Sequence, residues 1–226
     1  MSSNKHASDS LSQDVTEISS SYDDLLAHAR RATFVAKIPG DLTNLENSLA
    51  VRLRSENSSA RSKLQKIYRL ADQIMQHAAP HVACHKGCSS CCKMNVQITS
   101  DEAALIEQTG GVQAASLKST AIHEIGKYNG VPCPFLKDGQ CSIYEARPLV
   151  CRTHVSFYSD DYWCHPSRNL EQAAPVVGFS GLFDAINGVR ATKNGVFGDI
   201  RDFFPSRTPN GYKPPSEKLF SQFGLT

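Results

Sequence analysis

The stretch that decides the fold is a run of four cysteines, Cys84-His-Lys-Gly-Cys88-Ser-Ser-Cys91-Cys92. Thiolates three residues apart bind one soft metal ion when a tight turn brings both sulfurs to the same side. Gly87 lets the backbone fold closely beneath such a turn. The run therefore predicts a metal-organised loop that leads into a helical turn.

Cys91 and Cys92 are direct neighbours, which restricts how both can bind metal. Neighbouring side chains point to opposite faces of a strand and lie about 100° apart on a helix. Both thiols therefore rarely bind the same mononuclear ion. The pair indicates two metals, or a cluster of several atoms, or one spare thiol, and the sequence leaves these alternatives open.

The other four cysteines follow at longer spacings, so that the whole set lies in one segment of the chain: Cys133, Cys141, Cys151 and Cys164. Pro132 and Pro134 restrict the backbone on both sides of Cys133 and lower the entropy cost of placing its sulfur. Four-cysteine sites are typical of zinc or of an iron–sulfur cluster. Eight cysteines fill two such sites, or one site with spare thiols.

The N-terminus carries no apolar signal core, which predicts a cytoplasmic protein whose thiols stay reduced. Metal ligation is therefore favoured over disulfides. A cysteine–histidine nucleophile is a weaker alternative, because no single cysteine stands apart and no acid is spaced to orient a base. Four histidines near the cysteines are alternative ligands or surface residues: His81, His85, His154 and His165.

Composition narrows the class of protein. The chain has 226 residues, 24 Lys and Arg against 22 Asp and Glu, and a net charge of +2. This balance excludes a strongly basic nucleic-acid binder and makes nucleic acid an unlikely partner. No apolar run approaches the ~18 residues of a membrane helix. A Walker A or dinucleotide glycine pattern is also missing, so the expected partner is an unknown protein or small molecule.

Patterning divides the chain into four segments, 1–35, 41–79, 81–166 and 167–226. Eight of the first 21 residues are serine, which predicts a disordered or loosely docked arm over 1–35, although Tyr22 onward forms a short helix if Leu25 and Leu26 are covered. Residues 41–79 are predicted to be helical, with a break at Glu56-Asn-Ser-Ser. The last segment is expected to wrap over the cysteine-cluster domain at 81–166.

The helical segment has an apolar stripe and a basic face. The stripe is Leu64, Ile67, Leu70, Ala71, Ile74 and Met75. Between Val51 and Leu70, six basic side chains stand against one acidic residue, Glu56. A solvated helix face is favoured over a docking surface, because Tyr68 is the only aromatic side chain among them.

Local signals also divide the cysteine domain. Alternation at 95–99 predicts a short strand, and Thr99-Ser-Asp-Glu102 predicts a capping box on a helix that ends at Gly110-Gly111. A second helix is predicted over 113–127, with turns at Asn129-Gly130 and Asp138-Gly139. The expected fold is mainly α and irregular, with little β: a small metal-organised cysteine domain flanked by helices.

The combined motifs resemble a known family. The run from Cys84 to Cys92, together with Cys133-Pro-Phe-Leu, Cys141-Ser-Ile-Tyr-Glu, Arg147-Pro and Cys151-Arg, is similar to the CxxCxxCC cysteine-cluster family. That family is described as a zinc- or iron-chelating domain, some members are called Fe–S oxidoreductases, and a related cluster occurs in flagellin lysine N-methylases. The resemblance covers about 80–165, with three residues instead of two between Cys84 and Cys88.

The resemblance implies which thiols bind metal: Cys84, Cys88, Cys91, Cys92, Cys133, Cys141 and Cys151. Cys164 joins them by its position in the sequence. Four cations flank these cysteines and are expected to offset the negative charge of a thiolate-bound metal: Lys86, Lys93, Arg147 and Arg152. Alternatively, Arg147 pairs with Glu145 or Asp138, or caps a carbonyl.

An iron–sulfur cluster, of the 4Fe–4S type, is favoured over zinc. The Cys91-Cys92 pair suits an object with several iron atoms, and Cys133-Pro134 repeats a Cys-Pro step seen at cluster ligands. The leading hypothesis is a metal-binding protein with redox or cofactor chemistry. The alternative is a non-catalytic zinc module that presents the basic helix and the C-terminal tail to a partner. A methyltransferase-like accessory is a third version, without a recognisable S-adenosylmethionine loop, and whether the chain is an enzyme stays open.

Overall fold

The computed structural model describes residues 22–191 and 195–207 of the chain. Its helices are α1 (22–37), α2 (Gly40–Ser55), α3 (Ala60–Gln76), α4 (Ser100–Gly110), α5 (Leu149–Thr153), α6 (Ser180–Ala191) and α7 (Ile200–Phe203). Short 3₁₀ turns occur at Ala79–His81, Ser90–Lys93, Tyr144–Ala146, Tyr162–Cys164 and Pro205–Arg207. The strands are β1 (Gln97–Thr99), β2 (Leu136–Lys137), β3 (Gln140–Cys141) and β4 (Phe197–Asp199). The mainly α prediction is confirmed, and none of the described helices is both long and apolar enough to cross a membrane.

α2 and α3 form the first layer of the helical core. The predicted break lies between them, at Glu56–Ser59, where the Ser59 hydroxyl caps α3 by accepting from the Ser62 N–H at 3.2 Å. The predicted stripe is confirmed, since α3 buries all of its members except Met75, which packs half-buried against the same core. The predicted break therefore ends at the N-cap of α3. The apolar stripe forms the face of α3 that points into the core.

α1 corrects the prediction of a loose arm for its described part. Residues 22–35 are helical, and Ala27 and Phe34 are completely buried seven residues apart, on one face of the helix. Phe34 packs against Phe157 with 5.9 Å between ring centroids, whereas Leu25 stays exposed. Serine-rich composition ends at residue 21, so it gave no information on 22–35. Residues 1–21 lie outside the described ranges.

α6 packs on α2 at very close range. Gly181 permits this approach, because a Cβ atom there would lie 2.0 Å from the Glu46 carbonyl oxygen. The Leu182 N–H donates to the Glu46 carboxylate at 3.1 Å, across a sequence separation of 136 residues. Phe179, Leu182 and Ile186 thereby join the helical core, not the cysteine-bearing loops.

A second apolar core lies beneath the cysteine domain. β1 pairs with β4 in an antiparallel ladder, with Ile98 opposite Gly198. This core combines residues of the cysteine domain with residues at the C-terminal end of the described chain: Val96, Ile98, Ala103, Ile106, Phe135, Ile143, Ala146, Ile200, Phe203 and Phe204. The strand predicted at 95–99 is thus the ladder residues Gln97–Thr99, joined to the far C-terminal part of the described chain.

The capping box of α4 is present as predicted. Thr99 Oγ1 accepts from the Glu102 N–H at 3.1 Å, and the Glu102 carboxylate accepts from the Thr99 N–H at 2.9 Å. Gly111 ends the helix in the left-handed conformation, with φ of 64°. Buried Glu102 also accepts from Tyr68 of α3 and from the Leu149 N–H of α5. One carboxylate therefore ties three helices together.

The helix predicted over 113–127 is wrong. This segment runs as irregular chain and turns. The Ala115 N–H donates to the Phe203 carbonyl at 2.7 Å, and the Ala121 N–H donates to the Phe197 carbonyl at 2.9 Å. Ile122 and Ile125 are exposed. Hydrogen bonds to the distant backbone at 197–203 replace those within a helix, so tertiary pairing overrides the local pattern.

β2 and β3 form a two-residue hairpin. Asp138 and Gly139 occupy its turn with φ of 51° and 73°, the left-handed conformation of a type I′ turn. Leu136 lies opposite Cys141 in the register. The predicted Asp138-Gly139 turn is confirmed, and it brings Cys141 back towards Cys133.

Candidate metal centre

A single cavity of about 350 Å³ collects most of the thiols. Seven cysteines from four segments line it: Cys84, Cys88, Cys91, Cys92, Cys133, Cys141 and Cys151. All eight cysteines are free thiols and half-buried. Cys164 lies outside this lining, but it is close enough to Cys84 and Cys88 for their negative charges to raise its pKa. The fold thus brings together residues up to 80 positions apart in sequence.

The first cysteine run folds as two tight turns. The Cys88 N–H donates to the His85 carbonyl at 3.1 Å, and the Cys92 N–H donates to the Ser89 carbonyl at 3.0 Å. Gly87 has φ of 98°, a conformation that favours glycine. Cys91 and Cys92 lie in the 3₁₀ turn Ser90–Lys93, where successive side chains are about 120° apart. The turns therefore present the four sulfurs in more than one direction.

Backbone hydrogen bonds fix the inner side of the cavity. The Cys133 N–H donates to the Cys92 carbonyl at 2.7 Å, and the Leu136 N–H donates to the Cys133 carbonyl at 2.9 Å. Cys141 sits on β3 and Cys151 within α5. Cys133, Cys141 and Cys151 all pack against the second apolar core. These three thiols consequently share one rigid support.

Ser156 and Asp161 fix the outer side. The Ser156 N–H donates to Cys84 Sγ at 3.3 Å, and the Ser156 hydroxyl donates to the Asp160 carbonyl at 3.4 Å. The Ser90 hydroxyl, beside Cys91, donates to the Asp161 carboxylate at 2.6 Å. The Cys164 N–H donates to the Asp161 carbonyl at 2.9 Å. The segment 156–164 is thereby fastened to the first cysteine run.

In the ranges 22–191 and 195–207, no three His, Cys, Asp or Glu side chains already stand in the geometry of a metal site. The thiols surround the cavity without converging on one point. Of the four histidines considered from the sequence, His85 and His154 line the cavity, and burial lowers the pKa of His154. His81 and His165 do not line it, and His165 bonds Ser167 at 2.8 Å.

The predicted cations divide into two kinds. Lys86, Arg147 and Arg152 line the cavity, and Lys93 lies close enough to Cys92 to favour its thiolate. Arg147 stacks on Tyr144, with its guanidinium carbon 4.0 Å from the ring centroid. The buried Nε of Arg147 has no hydrogen-bond partner.

Arg152 is committed to the fold instead. Its guanidinium donates to the Asp72 carboxylate at 2.6 and 2.8 Å, to the Arg147 carbonyl at 2.9 Å and to the Glu145 carbonyl. It also lies over the Tyr68 ring, 4.4 Å from the centroid. Arg152 therefore anchors α5, and with it Cys151, to α3.

Arg201 is a functional neighbour that the sequence interpretation missed. Its side chain is 1% exposed and pairs with Asp199 at 2.8 Å. The same guanidinium donates to the Val131 carbonyl at 2.6 Å and lies 3.5 Å from the Cys92 carbonyl. The local signal was the capping box at Asp199 and Asp202, but nothing in it pointed to a cysteine 109 residues away.

Burial keeps most of these thiols protonated in the absence of a cation. Burial raises the pKa of Cys84, Cys141 and Cys151, raises that of Cys133 to about 12 and raises that of Cys164 to about 11. Cys92 is different, because a hydrogen bond from Cys91 lowers its pKa, with Arg201 acting in the same direction. A metal ion would supply the positive charge that the other thiolates need.

The donor set fits zinc or iron. Thiolates are the ligands of tetrahedral zinc sites and of iron–sulfur clusters. No carboxylate belongs to the described lining, which consists of cysteine, histidine, three cations and apolar side chains. Soft, anionic metal–thiolate groups are what such a cavity accommodates.

Comparison with known families agrees with the site. Residues 83–167 match the family model CxxCxxCC, described as "Putative zinc- or iron-chelating domain". The match includes all eight cysteines and supports metal binding. No curated protein and no solved structure matches the chain. The resemblance in cysteine spacing is thereby confirmed, and residues 83–167 are similar to a zinc- or iron-chelating cysteine-cluster domain.

Proposed function

We propose that the chain holds an iron–sulfur cluster in the thiol-lined cavity and uses it for redox or cofactor chemistry in the cytoplasm. The observation that carries this proposal is the lining itself, in which seven thiols from distant segments enclose one space. A single zinc ion requires only four thiolates. Seven thiols around one space therefore favour several metal atoms over one zinc ion.

The remaining wall of the cavity supports redox chemistry. Apolar side chains line it beside the thiols: Met75, Val82, Val96, Ile143, Val155 and Ile200. Solvent exposure and nearby hydrogen-bond donors set the reduction potential of a cluster. The apolar wall excludes water, while Arg147 and Lys86 stabilise added negative charge. Zinc, which has no redox chemistry, needs no such tuning.

The residues of the chain have separable tasks. Cysteine thiolates bind iron, and the cluster, when bound, supplies one-electron transfer. Arg147 and Lys86 line the cavity and would offset the negative charge of a metal–thiolate group. Arg152 and Arg201 hold the loops that carry Cys151, Cys92 and Cys133. Burial lowers the pKa of His154, which favours the neutral ring, and a neutral imidazole nitrogen is a metal donor at the wall.

Anaerobic purification of the full chain, with iron, sulfide and zinc analysis, tests the proposal. We expect iron and acid-labile sulfide, visible charge-transfer absorption, and bleaching by a reductant. Cys88→Ser should reduce this absorption, whereas Ser55→Ala, on the exposed end of α2, should not. Colourless protein that contains zinc and no sulfide would refute the redox function.

That outcome would favour the second candidate, a zinc module that displays a basic face to a partner. The observation in its favour is that Arg52, Arg54, Arg61 and Arg69 of α2 and α3 are exposed, while Lys66 pairs with Glu56. Tyr68 is buried, so this face offers no aromatic ring for base stacking. An acidic protein or small molecule is therefore a better partner for it than nucleic acid.

A further inference from the structure

We propose that the eight cysteines form two four-thiol metal sites that meet at the Cys91–Cys92 peptide bond. The inner site is Cys92, Cys133, Cys141 and Cys151. The outer site is Cys84, Cys88, Cys91 and Cys164. This inference rests on metal binding in the proposed function and deepens it, because it assigns every thiol, including one outside the main cavity.

The inner four thiols are neighbours through the backbone. The Cys133 N–H donates to the Cys92 carbonyl at 2.7 Å, which places the two residues side by side. The β2–β3 hairpin then returns the chain, so that Cys141 lies opposite Leu136, whose own N–H donates to the Cys133 carbonyl. Three of the four, Cys133, Cys141 and Cys151, pack on the same apolar core.

Electrostatic contacts agree with this grouping. Burial raises the pKa of Cys151 well above its usual range, and the charges of Cys133, Cys92 and Cys141 raise it further, in that order. Cys151 therefore belongs with the inner set.

The outer four thiols are joined through Ser156 and Asp161. The Ser156 N–H donates to Cys84 Sγ at 3.3 Å, and the Ser156 hydroxyl donates to the Asp160 carbonyl, in the segment that leads to Cys164. Asp161 links the turn that carries Cys91 to the turn that carries Cys164, through the Ser90 hydroxyl and the Cys164 N–H. Burial raises the pKa of Cys164, and negative charges on Cys84 and Cys88 raise it further.

Cys91 is the residue between the two sets. The Ser90 hydroxyl next to it donates to Asp161 on the outer side, whereas the carbonyl of neighbouring Cys92 accepts from the Cys133 N–H on the inner side. The inner set already contains four thiols without it, whereas the outer set contains three. Successive residues of a 3₁₀ turn leave the backbone about 120° apart, so the side chains of Cys91 and Cys92 start in different directions although their sulfurs lie close enough to interact. Cys91 therefore completes the outer site while Cys92 serves the inner one.

Matched variants separate two sites from one shared site. Cys141→Ser removes an inner ligand and Cys164→Ser an outer one, in the metal-loaded full chain. Two sites predict that each variant loses about half of the bound metal and that the double variant loses nearly all of it. One shared site predicts a large loss for Cys141→Ser and little loss for Cys164→Ser, which would overturn the partition.

A labelling experiment gives the same answer without relying on the folding of a variant. The wild-type metal-loaded chain is treated with increasing phenanthroline, alkylated with iodoacetamide and analysed by peptide mass spectrometry. We expect Cys84, Cys88, Cys91 and Cys164 to become reactive as one group, at a lower phenanthroline concentration than the inner four. Release of all eight together, or in mixed groups, would overturn the partition.

The two proposals fail in different ways. Zinc in place of iron and sulfide would refute the redox function but leave the two-site grouping measurable by the same variants and labels. A chain that binds metal in only one group would refute the partition and leave the proposed function intact. A purified chain that retains no metal, with all eight thiols reactive from the start, would refute both.

Discussion

Replacing Arg201 with Met should lower the free energy of unfolding by about 3–5 kcal/mol, the cost of breaking a buried ion pair from one side. The guanidinium donates to Asp199 at 2.8 Å and to the Val131 carbonyl at 2.6 Å. Met fills a similar volume but donates nothing. The Asp199 carboxylate then stays buried with the backbone N–H groups of Val96 and residue 201 as its remaining partners.

This loss is large compared with the whole stability of a domain, about 5–15 kcal/mol. Chemical denaturation of the metal-loaded and metal-free chains measures it. Arg201→Lys keeps the charge but loses the forked geometry, so an intermediate loss of about 1–3 kcal/mol is expected. Arg61→Met, on the exposed face of α3, is the matched control and should stay within about 0.5 kcal/mol of the wild type.

The same variant should also release metal, because the carbonyls of Val131 and Cys92 lose the side chain that holds their loops together. Metal retained after gel filtration should fall in Arg201→Met and not in Arg61→Met. A double-mutant cycle with Asp199→Asn should give a coupling of about 0.5–3 kcal/mol. An Arg201→Met chain as stable as the control would refute the reasoning from burial and pairing.

Three further predictions concern the frame around the site. Chelation should lower the thermal midpoint and loosen 84–164 while leaving α3 partly helical, because metal closes loops that local structure does not; circular dichroism measures this, and unchanged melting after complete metal removal would contradict it. Gly181→Ala should destabilise the chain by about 1–3 kcal/mol, because its Cβ would lie 2.0 Å from the Glu46 carbonyl oxygen; Gly188→Ala, on the same helix with nothing within 4 Å, should stabilise it by about 0.5–1 kcal/mol. Burial raises the pKa of Glu102 above its usual value of 4.5, so the protonated form is favoured in the folded state. The free energy of unfolding should therefore fall as the pH rises from 4.5 through the folded pKa, and then level off. Urea titrations of Glu102→Gln should lack this slope.

Features that depend only on residues close together in the chain were predictable from the sequence. The cap at Ser59, the box at Thr99 and Glu102, the left-handed Gly111 and the Asp138-Gly139 turn are all decided within four residues of chain. The α3 stripe is equally local, because helical spacing puts its members on one face. The clustering of cysteines likewise identified the segment that carries the site.

Features that depend on distant partners were not predictable. The segment 113–127 has a helical pattern, but its Ala115 and Ala121 N–H groups donate to the carbonyls of Phe203 and Phe197. No local rule anticipates these partners. α1 is held by the Phe34–Phe157 contact and by Tyr158, whose hydroxyl donates to Asp24 at 2.9 Å. Arg201 reaches the Cys92 loop only because β4 pairs with β1. The metal-binding thiols could be proposed from the sequence, whereas their arrangement around one cavity could be seen only in the fold.

The pairing of α2 with α6 has a consequence for synthesis of the chain. Helices α1 to α3 are made before α6, which begins at Ser180, so Leu49 and Phe34 have no complete core until α6 has been translated. The cysteine segment emerges in between, inside a loop whose ends have not yet met. Such long-range closure is slow, and it exposes apolar surface meanwhile. The thiols consequently leave the ribosome before the walls around them exist, and metal delivered at that stage would assemble the loops before the helices close over them.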